Sequence, residues 1–278
     1  MHTETGYSEM PQYGQDDTSG LRSAILRDGF AICRGAVNAT EIAKIREFWL
    51  HRFRPRQATA PIIWGPHLGE ENQVLYHETS DCCMFRSYDF LWNPAIDALT
   101  REVGLRLSRL RNDVADVDHR SGEYFEPDRY GIYITTSYYP PGRGWLHAHE
   151  DLADERRHWH FMLLLTFKGQ DYKAGGLHIK NRDGVRVDVD AMVQPGDVVF
   201  FDGSLTHDVE RIQSLSPREL GRLQLFSIPT FMERPHENDR LLQNVSLGAY
   251  FKAHMRRLKQ RLRSQSGYRN TQIMDLWL

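Results

Sequence analysis

The 278-residue sequence suits one large domain, which can bury an ample apolar core without disulfide bonds or structural metals. Hydrophobic residues make up 40% and charged residues 26% of the chain, as is usual for a globular enzyme. The formal net charge is −2, so no overall positive field favours nucleic acid or an anionic membrane. Neither class of partner is therefore predicted.

The N-terminal segment and the cysteines indicate where the protein works. Residues 1–20 are polar and lack the basic and apolar regions of a secretory signal peptide. No apolar stretch reaches the roughly 18 residues that cross a bilayer. Cys33, Cys82 and Cys83 form neither a disulfide framework nor a CxxC motif, which is typical of reduced thiols. We therefore expect a flexible lead-in over residues 1–20 and a cytoplasmic protein.

Residues 21–123 combine helix and loop signals. Apolar residues recur at helical steps in some segments, and capping residues precede them. Clustered proline and glycine mark a loop between these segments. In chain order we predict a helix from Leu21 to Asp28, a strand over residues 30–33, a helix after Asn38, a loop over residues 54–85 and a helix over residues 94–112.

Beyond residue 123 the pattern changes to β-branched and aromatic runs separated by Gly, Pro or Asp turns. Short strands at this spacing predict a mainly β fold with flanking helices, its core at residues 124–235 forming a sandwich or barrel. A helical tail over residues 236–278 offers a surface for a homodimer. The predicted strands span residues 130–139, 158–167, 177–179, 185–189, 198–201 and 222–228.

A candidate metal-binding pattern lies in this β-rich half. His149 and Asp151 are two positions apart on a chain that we expect to be extended, so their side chains project to the same face. His207 follows the apolar strand that ends at Phe201. Two histidines and one carboxylate form the facial ligand set of mononuclear non-haem Fe(II) oxygenases, which leaves adjacent positions open for a cosubstrate and O₂. We therefore predict that His149, Asp151 and His207 bind one Fe(II) ion.

Neighbouring features favour this interpretation over a chance His-x-Asp pair. Gly175-Gly176-Leu177 begins a later strand, and Pro195-Gly196-Asp197 turns into the strand that precedes His207. Arg222 then begins another strand. A buried guanidinium near the iron would bind a carboxylate through two parallel hydrogen bonds.

From Tyr139 to Ile228 the sequence resembles the Fe(II)/2-oxoglutarate-dependent dioxygenases, which are double-stranded β-helix (jelly-roll) enzymes. The opening Leu26-Arg27-Asp28-Gly29-Phe30-Ala31-Ile32, followed by a helix, is similar to the phytanoyl-CoA dioxygenase branch. The resemblance implies a single oxygenase domain over residues 21–278, with iron at the predicted triad, 2-oxoglutarate chelating that iron, and O₂ as oxidant. It implies hydroxylation of an unactivated C–H bond of a small, natural-product or amino-acid-like metabolite, with succinate and CO₂ as co-products. The carboxylate of Asp151 argues against halogenation.

The family also implies an arginine on the penultimate core strand, which grips the distal carboxylate of 2-oxoglutarate. Arg218 is closer to the family spacing but lies in a loop-like segment, whereas Arg222 begins a strand. We prefer Arg222, although Gln224 stands two positions later where the family pattern has serine. Tyr139 and Thr135 are predicted to line the same cosubstrate pocket.

Two other interpretations stay open. A cupin-type dioxygenase or isomerase would use His147 with the two histidines of the triad and no 2-oxoglutarate. The glutamate that such a site needs is poorly placed, since the nearest one is Glu155. A non-catalytic jelly roll that binds a sugar or another small molecule would leave the histidines without a metal.

Four further residues are candidates of lower rank. His158 and His160 alternate on one predicted strand, and a structural or ligand-supporting role is the more common one for such residues. Arg86 and Arg143 are candidate contacts for an anionic substrate, although arginines are more often solvated.

Overall fold

The computed structural model describes residues 11–53, 72–91, 94–123, 130–151, 159–214, 216 and 219–231. Within these ranges no helix is long and apolar enough to cross a membrane. The helices are α1 (Thr18–Asp28), α2 (Ala39–Arg52) and α3 (Ala98–Ala115). The strands are β1 (Phe30–Cys33), β2 (Gln73–Glu78), β3 (Cys82–Phe90), β4 (Tyr130–Tyr139), β5 (Trp145–His149), β6 (Trp159–Leu164), β7 (Ala174–Lys180), β8 (Arg186–Asp188), β9 (Val198–Asp202), β10 (His207–Gln213) and β11 (Arg222–Phe231).

The strands form one curled antiparallel sheet in the order β1-β9-β6-β11-β4-β3-β5-β10-β7-β8, with β2 beside β3. Strands β9, β6, β11 and β4 make one wall, and strands β5, β10, β7 and β8 make the other. Strand β3 pairs with both β4 and β5 and so joins the walls. From β4 to β11 the chain crosses between the two walls at every connection except the β7–β8 hairpin, and the fold is the predicted double-stranded β-helix.

Helix α3 covers the outer face of the first wall. It contacts β4, β6 and β11, and Val103 and Leu107 are buried on the face that it presents to them. Gly104 allows this close approach, since a Cβ atom there would lie 2.9 Å from Ile134 of β4. Side chains that alternate with Ile134, such as Thr135, therefore point to the inner face of the jelly roll.

The N-terminal helix begins earlier than predicted. Asp17 caps α1 by accepting a hydrogen bond from the backbone N–H of Gly20 at 2.9 Å, so the helix starts at Thr18. The carbonyl of Tyr13 accepts a hydrogen bond from the Arg34 backbone at 2.9 Å. Residues 11–20 thus differ from the flexible lead-in that was predicted, because this cap and this contact with the end of β1 fix them. Residues 1–10 lie outside the described part of the chain.

The predicted loop over residues 54–85 is wrong in its last part. Strand β2 pairs with β3, and the intervening turn is closed by a hydrogen bond from Thr79 N to the Cys82 carbonyl at 2.9 Å. The prolines and glycines that led to the loop prediction all precede residue 70, so they do not interrupt this hairpin. Residues 54–71 are not among those described.

Of the remaining predictions, one is confirmed and two concern residues that are not described. The three cysteines are free and buried, as expected. The predicted C-terminal helix over residues 236–278, and the homodimer surface suggested for it, fall outside the described residues.

Candidate metal centre

Strands β5 and β10 bring the three predicted metal ligands together. His149 ends β5, His207 begins β10, and the two residues are direct antiparallel partners. The backbone N–H of Asp151 donates to the Gly203 carbonyl at 2.8 Å, which fixes the carboxylate beside both rings. One potential ligand atom from each of the three residues lies within 4.8 Å of the others. Neither segment is among the strands predicted from the sequence, because polar side chains occupy much of each strand.

Each histidine of the triad is oriented by its own backbone. His149 Nδ1 lies 2.8 Å from the His147 carbonyl, and His207 Nδ1 lies 2.8 Å from the Leu205 carbonyl. A carbonyl only accepts hydrogen bonds, so each Nδ1 carries the proton. A histidine that holds its Nδ1 proton in this way can bind a metal through Nε2, which is the usual arrangement of a metal-binding histidine.

The protonation states of the triad also suit a cation. Burial lowers the pKa of His207 to about 4, so the ring is neutral at neutral pH. Burial acts to raise the pKa of Asp151, but the close contact with His160 and the proximity of His207 and His149 lower it overall. A neutral His207 ring and an ionised Asp151 carboxylate, beside the ring of His149, fit a divalent transition metal.

A fourth polar group supports the carboxylate. His160 of β6 is buried and places Nε2 at 2.9 Å from Asp151 Oδ2. The ring fits against Gly203, where a Cβ atom would lie 1.8 Å from His160 Nε2. Alternation on the strand predicted a supporting role for His160, but its partner Asp151 could not be read from the sequence. His158 is outside the described residues.

The site is buried on one side and open on the other. The side chains of His149 and Asp151 are 22% and 21% exposed, whereas that of His207 is 8% exposed. On the buried side, the Phe201 ring packs edge-on against His160 and His207, with centroid distances of 5.0 and 5.3 Å. Among the described residues, the side of His149 and Asp151 is therefore the side from which small molecules could reach a bound metal.

The predicted cosubstrate residues lie deeper in the jelly roll. Arg222 is fully buried at the start of β11, and its Nε and Nη2 donate to the Asp190 carboxylate at 2.5 and 3.0 Å. Burial acts to lower the pKa of Arg222, but Asp190 raises it overall. Tyr139 is the antiparallel partner of Arg222, and its ring centroid lies 5.5 Å from the Arg222 Cζ. Thr135 donates its hydroxyl to the Ser87 carbonyl at 2.5 Å. The roles assigned to these residues stay predictions.

The alternative residues are placed as follows. His147 is exposed and lines an outer groove with Trp145 and Arg186, away from the triad. Arg143 is exposed and stacks on Tyr76 at 5.6 Å. Arg218 and Glu155 are outside the described residues.

Comparison with known proteins finds likeness in structure but not in sequence. No known family profile and no curated protein sequence matches the chain. A Pseudomonas putida prolyl-4-hydroxylase is similar in structure, with 18% identity, 78% of this chain and 99% of that chain covered, and a TM-score of 0.51. The non-haem α-ketoglutarate-dependent carbocyclase SnoK of nogalamycin biosynthesis has 14% identity, coverage of 85% and 94%, and a TM-score of 0.51. The corresponding epimerase SnoN has 12% identity, coverage of 78% and 84%, and a TM-score of 0.50.

These likenesses establish the fold. The chain has the architecture of these three structures, and the jelly-roll core is the one that the sequence resemblance implied. At such low identity the comparison does not transfer an activity. None of the three is named as a phytanoyl-CoA dioxygenase, so that branch stays a prediction.

Proposed function

We propose that this protein is an Fe(II)- and 2-oxoglutarate-dependent oxygenase that hydroxylates an unactivated C–H bond of a small, natural-product or amino-acid-like metabolite. The observation that carries the proposal is the triad of His149, Asp151 and His207, with both Nε2 atoms presented to one half-open position. In the overall reaction, 2-oxoglutarate, O₂ and the C–H compound give succinate, CO₂ and the alcohol. Full reduction of O₂ takes four electrons: hydroxylation of the C–H bond supplies two, and oxidative decarboxylation of 2-oxoglutarate supplies the other two.

The residues of the chain hold the metal ligands in place and keep water from the buried side of the site. Iron bound at the triad would supply the activation of O₂. His160 holds Asp151 in one orientation from the buried side. Phe201 covers the rings of His160 and His207 on that side, so a substrate must approach from the side where His149 and Asp151 are exposed. This restricted approach limits which part of a substrate can lie next to a bound metal.

The carboxylate at position 151 supports an oxygenation outcome. A halogenating relative needs a small residue there, so that chloride can occupy the vacated position. The structurally similar proteins are named as a hydroxylase, a carbocyclase and an epimerase, and the fold therefore accommodates several outcomes. Mass spectrometry of a product distinguishes hydroxylation, which adds one oxygen atom, from desaturation or cyclisation, which removes two hydrogens.

The first test is turnover of the cosubstrate. Purified protein incubated with Fe(II), ascorbate, O₂ and 2-oxoglutarate should form succinate, slowly alone and faster with a substrate. Asp151→Ala should reduce this rate to background, because a carboxylate ligand is lost. Absence of succinate from the wild type across a panel of small-molecule substrates would count against the proposal.

A further inference from the structure

The wall formed by β5, β10, β7 and β8 carries a groove on its outer face that the proposed reaction does not use. Asp208 and Glu210 alternate with His207 along β10, so they point away from the metal site. The groove has a volume of about 430 Å³, which is large enough for a small organic molecule. Aromatic and charged side chains are among those that line it: Trp145, His147, Arg186, Asp208, Glu210 and Arg211.

The two carboxylates of the outer groove are engaged with a cation of the chain. Asp208 accepts hydrogen bonds from Nε and Nη2 of Arg186, at 3.4 and 2.8 Å. Glu210 lies 3.9 Å from Arg186 and 3.5 Å from Nε2 of the buried His178. A cationic ligand would therefore have to compete with Arg186, and a long polyanion such as nucleic acid would meet both carboxylates.

The other end of the groove carries a guanidinium without a carboxylate partner. Arg211 is exposed, and its Cζ lies 5.9 Å from the ring centroid of Trp145. Its Nη1 donates to the Arg143 carbonyl at 3.4 Å, and Arg211 forms no ion pair in the described part of the chain. The indole ring fixes the plane of the guanidinium, so the remaining N–H donors are open to an anionic ligand.

A second unpaired cation lies next to this end of the groove. Of the two arginines that the sequence suggests for an anionic substrate, Arg86 is buried on β3 beside β4, whereas Arg143 is exposed. The Arg143 Cζ lies 5.6 Å from the ring centroid of Tyr76, and no described carboxylate pairs with it. Backbone hydrogen bonds of 2.8 and 2.9 Å join Ile212 to the glycines on either side of Arg143. Two like charges on adjoining segments repel each other, and a bound anion would reduce this repulsion.

We infer that the outer groove binds a small aromatic acid, with its anionic group at Arg211 and Arg143 and its ring along Trp145 and His147. His147 is exposed, and its ring packs edge-on against Trp145 with a centroid distance of 6.4 Å. These rings offer a flat molecule the edge-on or offset contacts that aromatic groups prefer. The groove shares no lining residue with the triad, so the acid binds whether or not a metal is present.

The test compares indole-3-acetate with indole-3-acetamide, which has the same ring and a similar shape but no charge. Binding to the full-length protein is measured by NMR titration in the presence of a metal chelator. The wild type should bind the acid about 10-fold more tightly, the lower end for charge-assisted hydrogen bonds, because the groove is open to solvent. Added NaCl should reduce this preference, since salt screens exposed charges. Equal affinities for the two probes, or no binding of either, would show the inference to be wrong.

Variants locate the two parts of the ligand. Arg211→Gln should remove the preference and leave the affinity for the amide unchanged, and Arg143→Gln should remove part of it. Trp145→Leu should weaken both probes, because the ring that they contact is lost. Arg27→Gln is the matched control, since it removes an exposed arginine from α1 and should keep the full preference. Thermal unfolding checks that each variant is folded, and Arg211→Lys, which keeps the charge, should retain part of the preference.

The remaining outcomes separate the groove from other anion sites. A preference that persists in Arg211→Gln would place the anion elsewhere, and an equal loss in Arg27→Gln would make net charge the cause; either result overturns the inference. Asp151→Ala should behave as the wild type, and loss of the preference in this variant would place the acid at the metal centre. Because the titration needs neither metal nor turnover, its failure is distinct from a failure of the succinate assay.

Discussion

At the scale of single residues, the metal centre depends on two short contacts that each histidine makes with its own strand. His149 and His207 both bind the carbonyl two positions earlier in the chain, so the ring orientation is local and does not require a metal. The same contact occurs at His178 of β7, whose Nδ1 lies 3.1 Å from the Gly176 carbonyl. Among the described histidines this contact is therefore not confined to the triad, and what distinguishes the candidate metal site is the Asp151 carboxylate beside two of them.

The support of Asp151 by His160 gives a residue-scale prediction. His160→Phe keeps an aromatic ring of similar size but removes the 2.9 Å contact between Nε2 and the carboxylate. We expect Mn(II) affinity to fall about 10- to 100-fold, because a lost supporting contact leaves the ligand free to rotate. Titration followed by electron paramagnetic resonance measures this affinity.

The matched control is His178→Phe, which replaces another buried strand histidine and should leave Mn(II) affinity unchanged. Equal losses in the two variants would show that general destabilisation, and not support of Asp151, explains the effect.

At the scale of elements, the turn that follows α1 packs against the β9–β10 loop, which precedes His207. Gly29 ends α1 with φ of 92°, and its carbonyl accepts a hydrogen bond from the Asp202 backbone at 2.9 Å. A Cβ atom at Gly29 would lie 2.1 Å from Leu205 Cδ1. Leu205 in turn provides the carbonyl that orients His207. The turn after α1 is thus coupled to the metal site through the β9–β10 loop.

This coupling predicts a specific effect of Gly29→Ala. The substitution combines backbone strain with displacement of Leu205, and we expect about 1–3 kcal/mol of lost stability together with weaker Mn(II) binding. Chemical denaturation and metal titration measure the two effects. Gly35→Ala is the control, because Gly35 also has a positive φ, 63°, but nothing lies within 4 Å of its Cβ position. Gly35→Ala should lose stability from strain alone, and equal metal affinities in both variants would contradict the coupling.

The elements also show what the sequence could and could not predict. Strand β4 has the predicted bounds, because its β-branched and aromatic run is uninterrupted. Strands β5 and β10 were missed because histidines and charged residues occupy them, and the same residues that build the site weaken the strand pattern. The pairing of Arg222 with Asp190, 32 positions apart, depends on tertiary contact and leaves no local signal.

At the scale of the whole molecule, the triad and the buried arginines occupy different parts of the jelly roll. Its half-open end holds the triad, and its interior holds the buried arginines on the side of β4. Helix α3 closes the outer face of the wall that carries β4, β6 and β11. The candidate metal position and the buried arginines therefore lie on one rigid scaffold, as the proposed function requires.

One measurement tests the central claim most directly, namely anaerobic titration of the purified protein with Fe(II) and 2-oxoglutarate, followed by visible absorption. We predict a weak metal-to-ligand charge-transfer band that saturates at one iron per chain and that is absent from Asp151→Ala. A wild-type protein that develops no such band, or a band that persists unchanged in Asp151→Ala, would contradict the assignment of His149, Asp151 and His207 as the iron site.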